Sequence, residues 1–407
     1  MHGVRVVDVV AGRSTEPQTV SLRRGLIEAM QPDGEAWDGE PAINGRGRWL
    51  APGLIDGHVH LFLDGGYDPV GTFLAADVDR RREVAARNAR RALAAGITTV
   101  RDLGAPPGEV AELSAAIERG ELVGPSVVHA GAPVTRPAGH LSWLDRGVDG
   151  IREARALVSA QLAAGASVVK LVCSGGGLTP GTRPDRAELP VAVIRAAVEI
   201  ARERGAGVAA HCHASTAMRR ALAARVDTIE HASFLVPRGR VRFDPDLALE
   251  VRDAGIAVVP TAAGALRTAA RYRAAGAHNP ADTGAIERLE ARRWIAGELQ
   301  ALGVPIVAGT DAGATDTPFD ALHEELTVYA SIGLSAPDAL RTATSTAARY
   351  LGLADRGEIA VGRRADLLLL DADPLIDRST LARPLAVFIG GRQVGLSPGA
   401  SRSRRGF

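Results

Sequence analysis

Over residues 51–350, short apolar segments alternate with longer alanine-rich segments, and this alternation limits the possible folds more than any other pattern in the sequence. The apolar segments have the length of strands and fall at 53–60, 98–103, 126–131, 168–174, 207–213, 228–232, 257–262 and 306–311. The segments between them have the length of helices, and two further helices are predicted after the last strand, at 316–332 and 336–351. Eight strands that are each followed by a helix predict an α/β fold, a (β/α)8 TIM barrel. A doubly wound open sheet is the alternative, but no G-x-G-x-x-G motif follows the first strand to favour it.

The two ends of the chain predict β-structure without long helices. Short strands are predicted at 4–10, 19–23, 26–30 and 45–50, and again at 357–371, 385–389 and 393–394. We therefore predict that residues 1–50 and 355–396 form one small β-sandwich, into which the barrel of residues 51–354 is inserted. Residues 397–407 are rich in Ser, Arg and Gly and are predicted to be a flexible tail.

Composition excludes several classes of function. The net charge is +1 and the arginines are interspersed with carboxylates, so neither nucleic acid nor an acidic partner is predicted. Two cysteines cannot form a disulfide framework. No apolar run is long enough to span a membrane, and the N-terminus has no secretory signal. We expect a soluble cytoplasmic protein that acts on a small molecule and does not bind membranes.

Side chains that can bind metal fall at the carboxyl ends of five predicted strands, where barrel enzymes build their active sites. These residues are His58 and His60 on strand one, Lys170 on strand four, His211 and His213 on strand five, His231 on strand six and Asp311 on strand eight. Residues i and i+2 of a strand face the same side, so each His-X-His pair directs both imidazoles into the barrel. Each signal alone is weak, but five strands that deliver such residues to one rim predict a metal site.

Lys170 is the only lysine among 407 residues, and it lies in an apolar run. Burial of an unpaired ammonium is costly, and arginine cannot readily replace lysine where a neutral amine must react. The functional interpretations are a Schiff base and a carbamate formed with CO2; a chance survivor in a buried ion pair is the structural alternative. A carbamate is an anionic ligand that can bridge two metal ions. We favour it because a Schiff base does not account for the nearby histidines and aspartate.

Eight short motifs carry a resemblance to a known family. They are APGLIDGHVH at 51–60, GITTVRD at 96–102, VKL at 169–171, GGG at 175–177, HCHA at 211–214, IEH at 229–231, GTDAG at 309–313 and ADL at 365–367. Together they resemble the amidohydrolase superfamily, within it the imidazolonepropionase-like branch. That branch includes metal-dependent Xaa-Pro dipeptidases, which are prolidase-like, and ochratoxinase-like amidases. The resemblance covers nearly the whole chain.

This resemblance implies a binuclear zinc-type site. His58 and His60 would bind one metal ion with Asp311, and His211 and His231 would bind the other. A carbamate on Lys170, derived from CO2, would bridge the two divalent ions. His213 would then lie behind the ligands or face the substrate, although the pattern does not settle which histidine of the 211–213 pair is the ligand. Barrels of this kind often pair, so a homo-oligomer is expected.

The expected reaction is hydrolysis of an amide C–N bond in a dipeptide of Xaa-Pro type or an N-acyl amino acid. Metal-activated hydroxide would attack the carbonyl, with Asp311 as general base and then general acid. One alternative is a mononuclear hydrolase or deaminase of a cyclic C–N substrate, but such relatives generally lack the strand-four lysine. The other is a metal-free scaffold protein, which would lack ligands that are present here.

Specificity is predicted to lie in the loops after the strands. His140 matches a G-G-H segment of the prolidase-like group and is interpreted as a substrate contact. Arg267, Arg271, Tyr272 and Arg273 follow strand seven, where one of them could bind a substrate carboxylate, although their helical spacing favours a solvated face. Glycine is common in related sequences where this chain has Leu141, Ala214 and Ala232.

Overall fold

A computed structural model describes residues 1–34, 43–276 and 280–395, so the predicted tail at 397–407 lies outside the described residues. The strands are β1 (Val4–Asp8), β2 (Arg13–Arg23), β3 (Leu26–Pro32), β4 (Trp49–Pro52), β5 (Leu54–Val59), β6 (Ile97–Asp102), β7 (Ser126–His129), β8 (Val168–Val172), β9 (Gly207–Ala214), β10 (Thr228–Val236), β11 (Arg240–Val241), β12 (Ala257–Val259), β13 (Leu367–Leu370), β14 (Ala386–Ile389) and β15 (Arg392–Gln393). The helices are α1 (Pro69–Ala75), α2 (Val78–Ala94), α3 (Pro107–Glu118), α4 (Ile151–Ala163), α5 (Val191–Glu203), α6 (Ser215–Ala224), α7 (Pro245–Asp253), α8 (Ala262–Ala274), α9 (Pro280–Ala301), α10 (Leu322–Ser331), α11 (Ala336–Thr342) and α12 (Ser345–Tyr350), with a 3-10 helix at Arg378–Ala382.

The central barrel is built from two groups of parallel strands. One group contains β5, β6 and β7, and the other contains β8, β9, β10 and β12, with the short β11 antiparallel to β10. The groups are joined beyond β7, where Val134 N–H donates to Lys170 O over 2.8 Å and Val172 N–H donates to Val134 O over 2.9 Å. Both faces of β5, β6, β8 and β9 are buried, as expected for strands that are covered by helices outside and fill a barrel inside.

The groups are joined on their other side by the predicted eighth strand, which is irregular. Val307 N–H donates to Val258 O over 3.0 Å, and Asp311 N–H donates to His58 O over 2.8 Å. Gly309 permits this close approach, because a Cβ atom at that position would lie 2.5 Å from Val259 Cγ1. The segment therefore continues the ring between β12 and β5 without forming a regular strand.

Three helical regions differ from the sequence prediction. The residues after β12 form α8 instead of a loop. The helix predicted at 316–332 begins only at Leu322, because Asp316 is left-handed (φ 58°) and Pro318 follows it. The helix predicted at 336–351 is divided into α11 and α12, because Thr344 leaves the helical conformation. Within the described ranges, no helix combines the length and the apolar character that a membrane span requires.

Strands from both ends of the chain form one seven-stranded sheet in the order β15-β14-β13-β4-β1-β2-β3. β4 lies between β1, to which it is parallel, and β13, to which it is antiparallel. The outer strand β3 makes a bridge from Leu26 to Arg364, just before β13, so the sheet curls around its own core.

The inner strand β13 contributes to two cores at once. Leu367 and Leu369 pack with Val4 and other residues inside the curled sheet. Leu368 and Leu370 face the opposite side, as the two-residue period of a strand requires, and pack into the hydrophobic core of the barrel. β13 therefore attaches the sheet to the barrel through its alternate side chains, together with Val7, Ala51 and Val387 of β1, β4 and β14.

Candidate metal centre and active site

A cavity of about 270 Å³ lies at the carboxyl ends of the barrel strands. Every side chain that the sequence indicated as a ligand or substrate contact lines it: His58, His60, His140, Lys170, His211, His213, His231 and Asp311. They come from β5, β8, β9, β10, the eighth segment and the loop after β7. The fold thus brings together residues that are up to about 250 positions apart in the sequence.

His58 and His60 both face the cavity from β5. His58 Nδ1 lies 2.9 Å from Glu230 Oε2, and His60 Nδ1 lies 3.0 Å from Gly104 O. A carboxylate and a carbonyl only accept hydrogen bonds, so both Nδ1 atoms carry a proton. Their Nε2 atoms lie 3.4 Å and 3.3 Å from Asp311 Oδ1. Nitrogen lone pairs this close to a carboxylate oxygen require a shared cation, either a proton or a metal ion.

His211 and His231 form a second pair on β9 and β10. His211 Nε2 lies 3.0 Å from Gly175 O and therefore donates, and its Nδ1 lies 3.0 Å from His231 Nε2. His231 Nδ1 lies 2.7 Å from Thr261 Oγ1. Burial lowers the pKa of both histidines well below the ordinary value, so both rings are neutral. Histidine binds metal ions as a neutral imidazole through one ring nitrogen, while the other ring nitrogen makes a hydrogen bond that fixes the ring.

His213 lies beside this pair. Its Nδ1 is 2.8 Å from Ser233 Oγ, and its ring stacks on His231 with a centroid distance of 4.6 Å. Among the described residues, two groups of side chains have ligand atoms close enough to share a metal ion: His211 with His213 and His231, and His58 with His231 and Asp311. Since the first group contains both histidines of the H-C-H motif, the choice of His211 as ligand stays a prediction.

Asp311 is the carboxylate of this centre. Its side chain is 21% exposed, whereas the neighbouring histidines are buried, so it can reach a molecule in the cavity. Although burial opposes ionisation, His58 and His60 hold the pKa of Asp311 well below its usual range. Asp311, His231 and Thr261 all have left-handed backbones (φ 64°, 69° and 52°). Such costly conformations concentrate at functional sites, and here they turn each strand end towards the cavity.

Lys170 is 1% exposed, and its Nζ lies 3.5 Å from His58 Nε2. Burial lowers the pKa of this amine to about 8, and the negative charge of Glu230 opposes that shift. A usable fraction of the side chain is therefore neutral near pH 7, and the neutral amine is the form that reacts with CO2.

A buried ion pair behind His58 was not assigned a role from the sequence. Glu230 Oε1 accepts from Arg101 Nη2 over 2.9 Å and from Thr228 Oγ1 over 2.6 Å. Burial alone would raise the pKa of Glu230, but Arg101 and His58 lower it to about 2. Glu230 is thus a permanent anion that fixes the orientation and tautomer of His58. Both residues lie in the quoted motifs, yet only the packed strands show that they pair.

The loop residues occupy distinct places around the cavity. The His140 ring lies 4.8 Å from that of His211, and its Nδ1 is buried without a partner among the described residues. Leu141 and Ala232 have left-handed backbones (φ 60° and 45°), a conformation that glycine adopts without steric cost.

The arginines predicted after strand seven lie on α8 and are already paired. Arg267 pairs with Glu324, Arg271 with Asp316 and Arg273 with Glu290. Tyr272 does line the cavity. Two arginines on α9, Arg288 and Arg292, also line it and were not singled out from the sequence, because nothing in the spacing of α9 indicates which face meets the cavity.

The model of the amidohydrolase family matches residues 49–394, which include the whole barrel and strands β4, β13, β14 and β15 of the curled sheet. The chain belongs to the amidohydrolase family. This confirms the resemblance drawn from the motifs. One relative of this amidohydrolase is ochratoxinase of Aspergillus niger. The two sequences are 28% identical over 379 residues, which cover 83% of this chain and 73% of the relative.

Solved structures give the same fold. A Xaa-Pro dipeptidase with methionine bound in its active site superposes with a TM-score of 0.86, at 24% identity, covering 97% of this chain and 98% of the other. A prolidase in complex with N-methylphosphonate-L-proline superposes with a TM-score of 0.84, at 26% identity and the same coverage. The predicted TIM-barrel fold is confirmed, and the family and its hydrolases support hydrolysis of C–N bonds.

Proposed function

We propose that this amidohydrolase is a binuclear metal-dependent enzyme that hydrolyses the amide bond of a dipeptide of Xaa-Pro type or of an N-acyl amino acid. The similarity to a prolidase and to ochratoxinase supports an amide as substrate. The cavity, at about 270 Å³, accommodates a small molecule.

One observation carries the proposal: the free lone pairs of buried imidazoles converge on a carboxylate and a lysine at the floor of one cavity. His58, His60 and Asp311 would hold one divalent ion, and His211 and His231 the other. Lys170, as a carbamate, would lie between the two groups, because its Nζ is next to His58 Nε2. The donor set of nitrogen and oxygen atoms suits zinc.

Bound divalent ions would supply Lewis-acid activation of water and of the substrate carbonyl. The chain itself supplies proton transfer through Asp311, which is ionised, partly exposed and held by the backbone turn at its strand end. Asp311 would accept a proton during attack and deliver it to the leaving nitrogen. Glu230, behind His58, and Gly104 O, behind His60, keep the ligand nitrogens in position during this transfer.

The test combines metal analysis with substrate screening. Protein loaded with Zn2+ in the presence of bicarbonate should contain two metal ions per chain by elemental mass spectrometry and should hydrolyse members of a panel of dipeptides and N-acyl amino acids. One ion per chain would instead indicate the mononuclear alternative. Absence of metal and of turnover would exclude hydrolysis altogether.

The variant Lys170→Arg should fold, lose about one metal ion per chain and lose about 10³-fold or more in kcat/KM, because metal activation of water is worth several kcal/mol. Circular dichroism checks the fold. In Lys170→Ala, added formate or propionate should restore part of the activity, because a small carboxylate can replace the carbamate. Wild-type turnover by Lys170→Arg would contradict the carbamate.

A further inference from the structure

The cavity carries an excess of positive charge on one wall. Among the described residues that line it, Asp311 is the single carboxylate, and it lies at the floor with the histidines. Arg288 and Arg292 lie on the wall formed by α9. They are four positions apart, so they project from the same face of the helix, one turn from each other.

Arg288 differs from the arginines of α8 in having no counterion among the described residues. Arg267, Arg271 and Arg273 are each paired with a carboxylate. Arg288 makes no ion pair or hydrogen bond with any residue that the structure describes, and its side chain is half-buried at the cavity. It is therefore available to a ligand.

Arg292 lies deeper and is held by one neighbour. Its Nη1 donates to Thr261 Oγ1 over 2.9 Å and to Thr261 O over 3.2 Å. It makes no ion pair with a carboxylate in the described part of the chain, although removing a guanidinium from water without a counterion is costly. Thr261 Oγ1 also contacts His231 Nδ1 at 2.7 Å. Thr261 therefore connects Arg292 to His231, which is a predicted metal ligand.

We propose that Arg288 and Arg292 bind a free carboxylate on the leaving-amine side of the substrate, which restricts the enzyme to amides of α-amino acids. This proposal rests on the proposed function and deepens it. An α-carboxylate is separated from the scissile nitrogen by a single carbon, which matches the short path from the metal ligands through Thr261 to Arg292. A substrate carboxylate supplies the counterion that neither guanidinium group finds in the described part of the chain. Amides of neutral amines cannot supply it and are predicted to be poor substrates.

The decisive measurement compares the best acid substrate from the panel with its C-terminal carboxamide, which keeps the same scissile bond but has no charge. Wild-type enzyme should prefer the acid in kcat/KM by about 100-fold, because hydrogen bonds between charged groups are the strong ones. In Arg288→Met, kcat/KM for the acid should fall about 10- to 100-fold, mainly through a higher KM, so that the preference for the acid over the carboxamide is largely lost. Arg288→Lys should recover part of the loss.

Arg293→Met is the matched control, because Arg293 is the exposed neighbour on α9 and does not line the cavity. It should keep the wild-type preference. Arg292 is unsuitable for the test since its loss would also disturb Thr261 and His231. Equal turnover of acid and amide by the wild type, or an equal effect of Arg293→Met and Arg288→Met, would overturn the proposal and leave the hydrolase function intact.

Calorimetric binding separates the two proposals if the metal-loaded protein hydrolyses nothing in the panel. In that event the proposed function fails, and N-acetyl-L-alanine is titrated against N-acetyl-L-alaninamide. Binding of the acid alone, lost in Arg288→Met and kept in Arg293→Met, supports a carboxylate site. Equal binding, or no binding of either compound, refutes it.

Discussion

Glu230 determines how His58 presents Nε2, the nitrogen that we propose binds a metal ion. Its carboxylate accepts from the His58 Nδ1–H on one side and from Arg101 on the other, and none of the three side chains is appreciably exposed. An acceptor placed behind a ligand histidine fixes the tautomer, and loss of such a partner typically weakens metal binding 10- to 100-fold. The ion pair with Arg101 is also part of the fold, since a buried charge that loses its partner is strongly destabilising.

We predict that Glu230→Gln binds Zn2+ about 10- to 100-fold more weakly and loses about 3–5 kcal/mol of unfolding free energy in the metal-free state. The glutamine side chain has one uncharged carbonyl oxygen in place of the two anionic oxygens of Glu230. It therefore cannot accept hydrogen bonds from both His58 and Arg101. Metal titration and urea denaturation measure the two effects. The control is Glu250→Gln, because Glu250 is 54% exposed and lies 3.9 Å from Arg219. Unchanged metal affinity in Glu230→Gln would exclude a positioning role for this carboxylate.

The spacing of single residues in the sequence identified much of this centre but not its supporting contacts. The two-residue strand period was enough to place His58 and His60 on one face, and the barrel fold brought Lys170 and Asp311 to the same rim. Glu230 and Arg101 could not be paired in this way, because their contact joins strands that are not neighbours in the sequence. Arg288 was missed because the spacing of residues in α9 does not indicate which face of the helix meets the cavity.

Helix α8 shows why one element was predicted as a loop. Residues 262–274 have helical composition, but the residue before them, Thr261, makes no side-chain cap and has a left-handed backbone. The cap comes instead from Glu325 of α10, whose carboxylate accepts from Ala262 N–H over 3.0 Å and from Ala263 N–H over 2.6 Å. The residue that caps the N-terminus of α8 lies about 60 positions further along the chain, so the local sequence does not indicate where this helix begins.

Removal of this distant cap should destabilise the protein. Glu325→Ala leaves two buried N–H groups of α8 without an acceptor, and each such group costs about 1–3 kcal/mol. Glu324→Ala is the control, because Glu324 is 46% exposed and its surface pair with Arg267 contributes at most about 1 kcal/mol. Chemical denaturation measures both. Equal losses for the two variants would show that Glu325 does not stabilise α8.

Glu325 also predicts a pH dependence of stability. Burial raises the pKa of Glu325 above its reference value of 4.5, while the hydrogen bonds from Ala263 and Ala262 oppose the rise. A carboxyl group with a raised pKa in the folded state contributes stability that is fully present below pH 4.5 and lost as the pH rises through the raised pKa. Unfolding free energy should therefore fall with pH more steeply in the wild type than in Glu325→Gln, which cannot ionise. Parallel pH profiles from denaturation series would contradict this.

The barrel and the curled sheet share β13, and this strand connects the stability of the two parts. Leu368 belongs to the barrel core and the adjacent Leu369 to the core of the sheet. Because the two side chains are fixed by one backbone, disorder of β13 removes packing from both cores. We propose that the sheet and the barrel, predicted from the sequence as two domains, unfold as one cooperative unit.

Leu368→Ala should lower the unfolding free energy by about 2–5 kcal/mol through the cavity that it creates. The transitions followed by far-ultraviolet and near-ultraviolet circular dichroism should still coincide. Leu385→Ala is the control, because Leu385 is 46% exposed and its truncation should have little effect. Two separate transitions in the variant or in the wild type would show that the sheet and the barrel are independent.

The position of β4 between β1 and β13 has a consequence for synthesis on the ribosome. β4 emerges about 315 residues before the strand that pairs with its other edge. At cellular translation speeds this interval lasts roughly 15–60 s. Throughout that time the nascent chain presents an open β edge, which is a template for intermolecular pairing. We therefore expect chains that stall before residue 367 to aggregate or to recruit chaperones.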